Sequence, residues 1–451
     1  MGKRTQQNLV QGNILRTLIS FAVPVLLALF LQAMYGAADL IIVGRFAGTN
    51  EQSGVASGSQ LFNMVTMVIT GLTMGVTVFV GEAIGSGKRR QAGQGVGCGI
   101  AVFAVVALLV TAVVVPFSDR LAVWMHAPAQ DFAQTSHYVR ICGIGTVFIT
   151  AYNVIGAVFR GIGDSKTPLV TVAIACVINI LGDLLLVAVF HMGAAGAAIA
   201  TVSAQAVSVV CSLLLLRRKK LPFDFSLRDI RLEPTCIRRI LRIGIPIALQ
   251  ELLVQFSFLF IQVVVNRMGV VQSAAVGVAE KVCVFLMLVA SAYMQSISAF
   301  VAQNNGAGQW ERSRQALFYG IRTALATGAV MGTLAFFGGS FLAGLFSNEP
   351  LVIANAHTYL KAYAIDCLLT AILFCFVGYF NGCGRTAFVM VQGVVGAFCV
   401  RIPVVFLMSH LDSATLFHIG LGTPISSVVQ IILCVLAFRA LQPGCSAAPA
   451  L

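Results

Sequence analysis

FVGEAIGSGKRR (residues 79–90) and FVAQNNGAGQWE (residues 300–311) stand 221 positions apart and align Phe79 with Phe300, Gly85 with Gly306 and Gly87 with Gly308. Working outward, the same offset, or one residue more, pairs Pro24 with Pro246, Arg45 with Arg267 and Val55 with Val276. It also pairs Tyr138 and Arg140 with Tyr359 and Lys361, and Gly161 and Gly163 with Gly382 and Gly384. The chain is one unit written twice, and a repeat of this kind decides the architecture before any single element does.

The nature of that unit follows from its apolar content. The 451 residues are 58% hydrophobic and 10% charged, with a mean hydropathy of +0.92. A soluble domain carries about 25% charged residues, so this chain cannot cover itself with a wetted surface. Runs of about twenty apolar residues recur, each long enough to cross a bilayer as a helix. Residues 96–115 are apolar on every side, whereas membrane strands alternate with a period of two. The spacing predicts spans at 17–43, 55–82, 95–116, 137–159, 168–190, 194–216, 243–266, 274–301, 316–346, 358–380, 387–409 and 416–438. The expected fold is an all-α integral membrane protein with twelve transmembrane helices in two six-helix repeats. Six crossings per repeat is an even number, so the repeats run parallel, related by an axis along the membrane normal. The expected domains are a lobe at 1–216, a basic linker at 217–242 and a second lobe at 243–451. The N-terminal apolar run is not read as a cleaved leader, because it has a counterpart starting near Arg242.

The net charge of +13 is explained by topology, and no nucleic-acid partner is expected. With the N-terminus inside, twenty-one of the twenty-nine Lys and Arg fall in inner segments, among them Lys3, Arg4, Lys88, Arg89, Arg90 and the nine between Arg217 and Arg242. Four (Arg45, Arg120, Arg140 and Arg267) fall outside, and four lie within spans. The positive-inside rule then places both termini in the cytoplasm of a bacterial inner membrane. The linker reads as a solvated basic loop touching anionic headgroups, and 222–234 is expected to accept insertions. The twelve cysteines contain no C-x-x-C and read as small buried hydrophobes. The six histidines, His126 among them, fall in or beside outer loops without metal-ligand spacing.

PVLLALFLQAMYGAADLIIVGRFAG (24–48), GEAIGSG (81–87), RGIGDSKTP (160–168), NILGD (179–183) and AQNNGAGQWERS (302–313) together resemble the multidrug and toxic compound extrusion (MATE) family over nearly the whole chain. The resemblance implies a V-shaped pair of six-helix lobes. It also implies antiport by alternating access, in which inward flow of protons or sodium drives export of cationic or amphipathic drugs. Small drug-like substrates and membrane lipids are the expected partners, with no cofactor, no enzymatic activity and a monomeric state.

Intramembrane charge leads to a similar place. A carboxylate near the bilayer centre costs about 2.5–3.5 kcal/mol on insertion scales, so each one asks for a role. Asp39 shares a helical face with Tyr35 and Gln32, and Asp183 shares one with Asn179. Ile261 aligns with Asp39, and Asp183 maps near Ile402 and Pro403, so the repeat does not require these acids. Similar MATE proteins build a cation site from an aspartate on helix one and an Asn/Asp pair on helix five. The resemblance carries that role to Asp39, Asn179 and Asp183, with Tyr35 and Thr201 as further candidates. Pro24 lacks an N–H and is expected to kink helix one.

The second half offers Glu251 and Asp366 as a further cation or substrate site. On helix seven the family's acid lies nearer Gln255, one turn beyond Glu251. Asp366 has Arg401 or Lys361 as candidate salt-bridge partners. A lipid-linked-oligosaccharide flippase of the same superfamily is the alternative; it should show extra helices and an arginine-rich cavity. The absence of a nucleotide loop and of H-E-x-x-H in the sequence argues against an ATP-driven pump or a membrane enzyme.

Overall fold

The computed structural model describes residues 9–125, 128, 130–219, 221–411 and 414–440; Lys3, Arg4, His126 and Lys220 lie outside the described residues. Among the described residues the chain is helical with no strand. Eleven helices among the described residues are long and apolar enough to cross a membrane: Ile14–Phe46, Thr49–Gly85, Arg89–Val114, Lys166–Val189, Gly193–Arg218, Pro234–Met268, Val270–Gly306, Trp310–Gly344, Pro350–Gly382, Thr386–Ser409 and Leu416–Ala440. Phe132–Ile144 and Thr146–Gly161 form a further, broken span bent by 53°. Taken in chain order these are the twelve expected spans, the broken pair being the fourth.

The outer faces suit lipid. Leu108, Leu109, Phe337 and Phe341 each expose more than half of their surface. Exposed apolar area on this scale marks a surface made for an apolar solvent.

Three details differ from the sequence reading. The fourth span is not one helix, because Gly143 and Gly145 weaken its ladder and the chain turns at Gly145. A short helix, Ser118–Trp124, precedes it, and Asp119 there pairs with Arg140 at 3.5 Å. The fifth and eleventh spans each contain a π-helical stretch, Leu184–Val189 and Val395–Arg401. Such stretches are rare and frequently mark functional sites. Pro24 lies inside the first span, Ile14–Phe46.

Contacts divide the chain into two compact units. Among the described residues, one comprises Val23–Ala248 and the other Leu9–Ala22 with 249–440. The first span thus begins in the second unit and ends in the first, and the seventh span passes the opposite way. Pro24 and Pro246 each stand two residues from a crossover. In the second unit, Leu9 and Leu18 are fully buried. Asn304 Nδ2 donates to the Leu9 carbonyl (3.1 Å), and Arg312 Nη1 donates to that of Gly12 (2.8 Å).

The segment expected to be a solvated basic loop touching anionic headgroups packs its inner side on the first unit. Its ends are helical: Arg217 and Arg218 finish the sixth span, and the seventh starts at Pro234. Between them Phe223 is buried, and Leu227–Asp229 forms one 3-10 turn. Asp229 is buried and pairs with both terminal nitrogens of Arg90, at 2.7 and 2.9 Å. It also accepts from the Ser226 N–H at 2.8 Å, closing a capping box. Two glycines of the third span admit the linker backbone. A Cβ on Gly93 would lie 1.8 Å from the Asp224 carbonyl oxygen, and one on Gly97 2.3 Å from that of Asp229. Lys219 Nζ reaches the fully buried Asp164 at 2.7 Å, and Asp164 also accepts the N–H groups of Lys166 and Thr167 at the start of the fifth span. An insertion between Pro222 and Pro234 would have to displace these contacts, so the expected tolerance is withdrawn.

Candidate functional site

The first unit brings together the polar residues singled out on three different spans. Asn179 and Asp183 sit one turn apart on the fifth span, both fully buried, and Asp39 on the first span is 5% exposed. The Thr201 hydroxyl, on the sixth span, donates to Asp39 Oδ2 at 3.1 Å, and Asn179 Nδ2 donates to Thr201 Oγ1 at 3.4 Å. The carboxyl groups of Asp39 and Asp183 are electrostatic neighbours. Asp183 is the last α-helical residue before the π-helical stretch. The sixth span is held at its start by Glu51, whose Oε2 accepts the Ala194 N–H at 2.7 Å.

Four oxygens in this cluster are buried without a hydrogen-bond partner: Asp39 Oδ1, Asn179 Oδ1 and both carboxylate oxygens of Asp183. Two carboxyl groups side by side out of water repel one another unless positive charge lies between them. A proton shared by the pair supplies it, and so does a cation held by the free oxygens. The cluster is an acceptor-rich site.

Tyr35 sits on the same face of the first span, and Gln205 approaches its hydroxyl from the sixth span. Gln32, one turn earlier, donates to the Tyr152 hydroxyl at 3.0 Å. Gln205 and Tyr152 were missed by the sequence reading. Gln205 was findable, because it follows Thr201 by one turn and is the one amide side chain on Gly193–Arg218, whereas Tyr152 has no such signal.

In the second unit the acids are not gathered in this way. Asp366 is 1% exposed, and its Oδ1 accepts the Ser427 hydroxyl at 2.6 Å while Oδ2 has no partner. Among the described residues no ion pair joins Asp366 to Arg401 or Lys361. Arg401, at the end of the π-helical stretch, donates from Nη1 to Ser257 Oγ at 2.8 Å and stacks 4.5 Å above the Phe258 ring. Lys361 lies 6.0 Å from the Phe336 ring. Glu251 and Gln255 are half-buried on the seventh span, and no hydrogen bond or ion pair links Glu251 to Asp366.

Two six-span repeats, with a buried acidic cluster in the first, define a multi-pass membrane protein of the duplicated transporter type. The model of the MatE family matches residues 24–185 and again 246–407. The chain belongs to the MatE family. Among curated relatives, it is 25% identical over 425 residues to the probable multidrug resistance protein YoeA of Bacillus subtilis (strain 168), covering 93% of this chain and 92% of that one. It is 24% identical to the probable multidrug resistance protein NorM of Thermotoga maritima, covering 92% and 89%. Among solved structures, it resembles an outward-facing multidrug resistance MATE family transporter of the MOP superfamily with a TM-score of 0.90 at 19% identity, over 98% of both chains. A MATE structure in the bent conformation aligns with a TM-score of 0.89, also at 19% identity and 98% of both chains.

Proposed function

We propose that this protein is a secondary active exporter that expels cationic or amphipathic drugs and toxic compounds in exchange for an inward-moving proton or sodium ion. Its place is the bacterial inner membrane, with both termini in the cytoplasm. The observation that carries the reading is the meeting of the Asp39 and Asp183 carboxyl groups, beside Asn179 and Thr201, in the buried interior of the first unit. The relatives named as multidrug resistance proteins support the substrate class.

An ion gradient drives transport only if ion occupancy favours one arrangement of the protein over another. The first, fifth and sixth spans all donate to this cluster. A charge arriving between the two carboxyl groups removes their repulsion and draws those spans together; its departure lets them part. Asp366, with its free Oδ2, is a second carboxyl whose occupancy bears on transport from the other unit.

The test is efflux of a fluorescent lipophilic cation from proteoliposomes under separately imposed proton and sodium gradients. Efflux that follows one gradient names the coupling ion. Efflux indifferent to both rejects the proposal.

A further inference from the structure

The docked linker presents an unusual outer face. Leu227 is 79% exposed, Leu232 53%, Ile230 40% and Phe225 37%. Between and beside them stand exposed arginines, Arg228 in the turn, Arg231 two residues past it, and Arg217, Arg218 and Arg238 at the flanking helix ends. Arg231 pairs with Glu233 at 3.3 Å, but Arg217, Arg218, Arg228 and Arg238 have no ion-pair partner among the described residues. The face is rigid, because the Arg90–Asp229 pair and the Ser226 cap fix the turn from beneath.

Its depth can be read from the third span. Arg89–Val114 has 26 residues, about 39 Å at 1.5 Å per residue. The hydrocarbon core takes about 20 residues, and the apolar run of this span starts at residue 95 after Arg89, Arg90, Gln91 and Gln94, which leaves its first residues in the headgroup zone. The linker backbone touches Gly93 and Gly97. That contact sets the turn at the level where headgroups give way to acyl chains. Apolar side chains alternating with arginines at that level form a surface with two halves, one for hydrocarbon and one for phosphate.

We propose that residues 225–232 are an interfacial anchor for anionic phospholipid. Leu227, Ile230 and Leu232 enter the upper acyl region, and Arg228, with Arg217 and Arg218, holds the phosphates of negatively charged headgroups. Guanidinium groups suit this role because they bind phosphate through two parallel hydrogen bonds. A water-facing loop would gain nothing from leaving Leu227 bare, and a soluble partner would have to enter the headgroup layer to reach it.

The full-length protein, with Trp124 and Trp310 replaced by Phe and a Leu227→Trp substitution, is placed in lipid nanodiscs, which leave both faces open. Discs of phosphatidylcholine alone are compared with discs that also contain phosphatidylglycerol. The expected result is strong quenching of the introduced indole by lipid brominated high on the acyl chain, with little quenching by aqueous iodide. That pattern should be sharper in the anionic discs. Arg228→Gln with Arg217→Gln should remove the difference between the two lipids while the size-exclusion profile stays unchanged. Free access of iodide in both discs overturns the anchor. Quenching by brominated lipid that is equal in neutral and anionic discs overturns the preference for anionic headgroups.

Discussion

Gly145, where the fourth span turns by 53°, and Asp366, buried in the unbroken tenth span, occupy the same place in the two repeats. The offset that pairs Tyr138 with Tyr359 and Gly161 with Gly382 pairs these two without a gap. One repeat uses the position to bend and the other to hold a carboxyl group. The acids Asp39 and Asp183 show the opposite pattern, present in the first repeat and absent from the second. Duplication kept the scaffold and let each half specialise its polar chemistry.

Asp39→Asn and Asp183→Asn should each abolish gradient-driven export while leaving the protein folded and inserted. Asparagine keeps the shape and much of the hydrogen bonding but cannot take up a proton or supply a full negative charge. Asp366→Asn should weaken transport only in part. The measurement is proteoliposome efflux with membrane abundance as the control. Full coupling in both first-unit variants, with a dead Asp366→Asn, would move the coupling site to the second unit.

Gly145→Ala should impair transport through the sixth span. A Cβ there would lie 2.3 Å from Val202 Cγ2, next to Thr201, and a β-branched neighbour cannot rotate freely out of the way. Overpacking of this kind costs about 1–3 kcal/mol. Val202→Ala should restore activity in the double variant. A double variant no better than the single one would show that the bend itself, not the contact, is what matters.

Gly97→Ala should lift the linker from the third span, because its Cβ would meet the Asp229 carbonyl oxygen at 2.3 Å. Limited trypsin digestion reads this out directly, since Arg228 is exposed but sits in a fixed turn, with the exposed Arg231 just beyond it. Faster cleavage there than in the parent protein is the expected outcome. An unchanged digestion pattern would mean that the turn is held without that close approach.

The linker clamp should also be acid-sensitive. The Ser226 N–H and then the Arg90 guanidinium hold the Asp229 carboxyl below the usual carboxylate range. A carboxyl depressed by folding stabilises the folded form above its unfolded pKa of about 4 and loses that contribution as pH falls below it. A spin label at Arg228→Cys, in a background without the other cysteines, should therefore be immobile from neutral pH to mildly acidic pH and loosen below. Arg90→Gln should move the loosening to higher pH. Mobility that is the same in both backgrounds at every pH would remove Asp229 from the account.

Topology gives a fifth expectation. Single cysteines at Lys88 and Arg228 should react with an impermeant maleimide only from the cytoplasmic side, and one at Asn348 only from outside. Labelling of position 228 from outside would reverse the orientation.

Much of the architecture was legible because it rests on features that repeat. Length of apolar runs, a fixed offset and the bias of Lys and Arg are summed over many residues, so no single side chain can upset them. The break at Gly145 was hidden, since a glycine pair inside an apolar run is tolerated as often as it bends. The π-helical stretches are set by packing and leave no mark in composition. At the site, Asp39, Asn179, Asp183 and Thr201 stood out because polar groups are costly inside a span. Ser257 and Ser427 did not, because a hydroxyl can satisfy its own helix backbone and is common in spans. The linker was misread for a related reason: its charges were counted, but the glycines that receive it, Gly93 and Gly97, lie more than a hundred residues earlier.

The crossover of the first and seventh spans governs how the chain can be divided. Residues Leu9–Ala22 complete the unit built from the second repeat, and the turns leading up to Ala248 complete the unit built from the first. Cutting the polypeptide between the repeats would therefore yield two fragments, each keeping the opening turns that the other requires and missing its own. A single-repeat protein of this design could close its packing only by trading its leading helix with a second copy. The fused chain makes that trade permanent and internal.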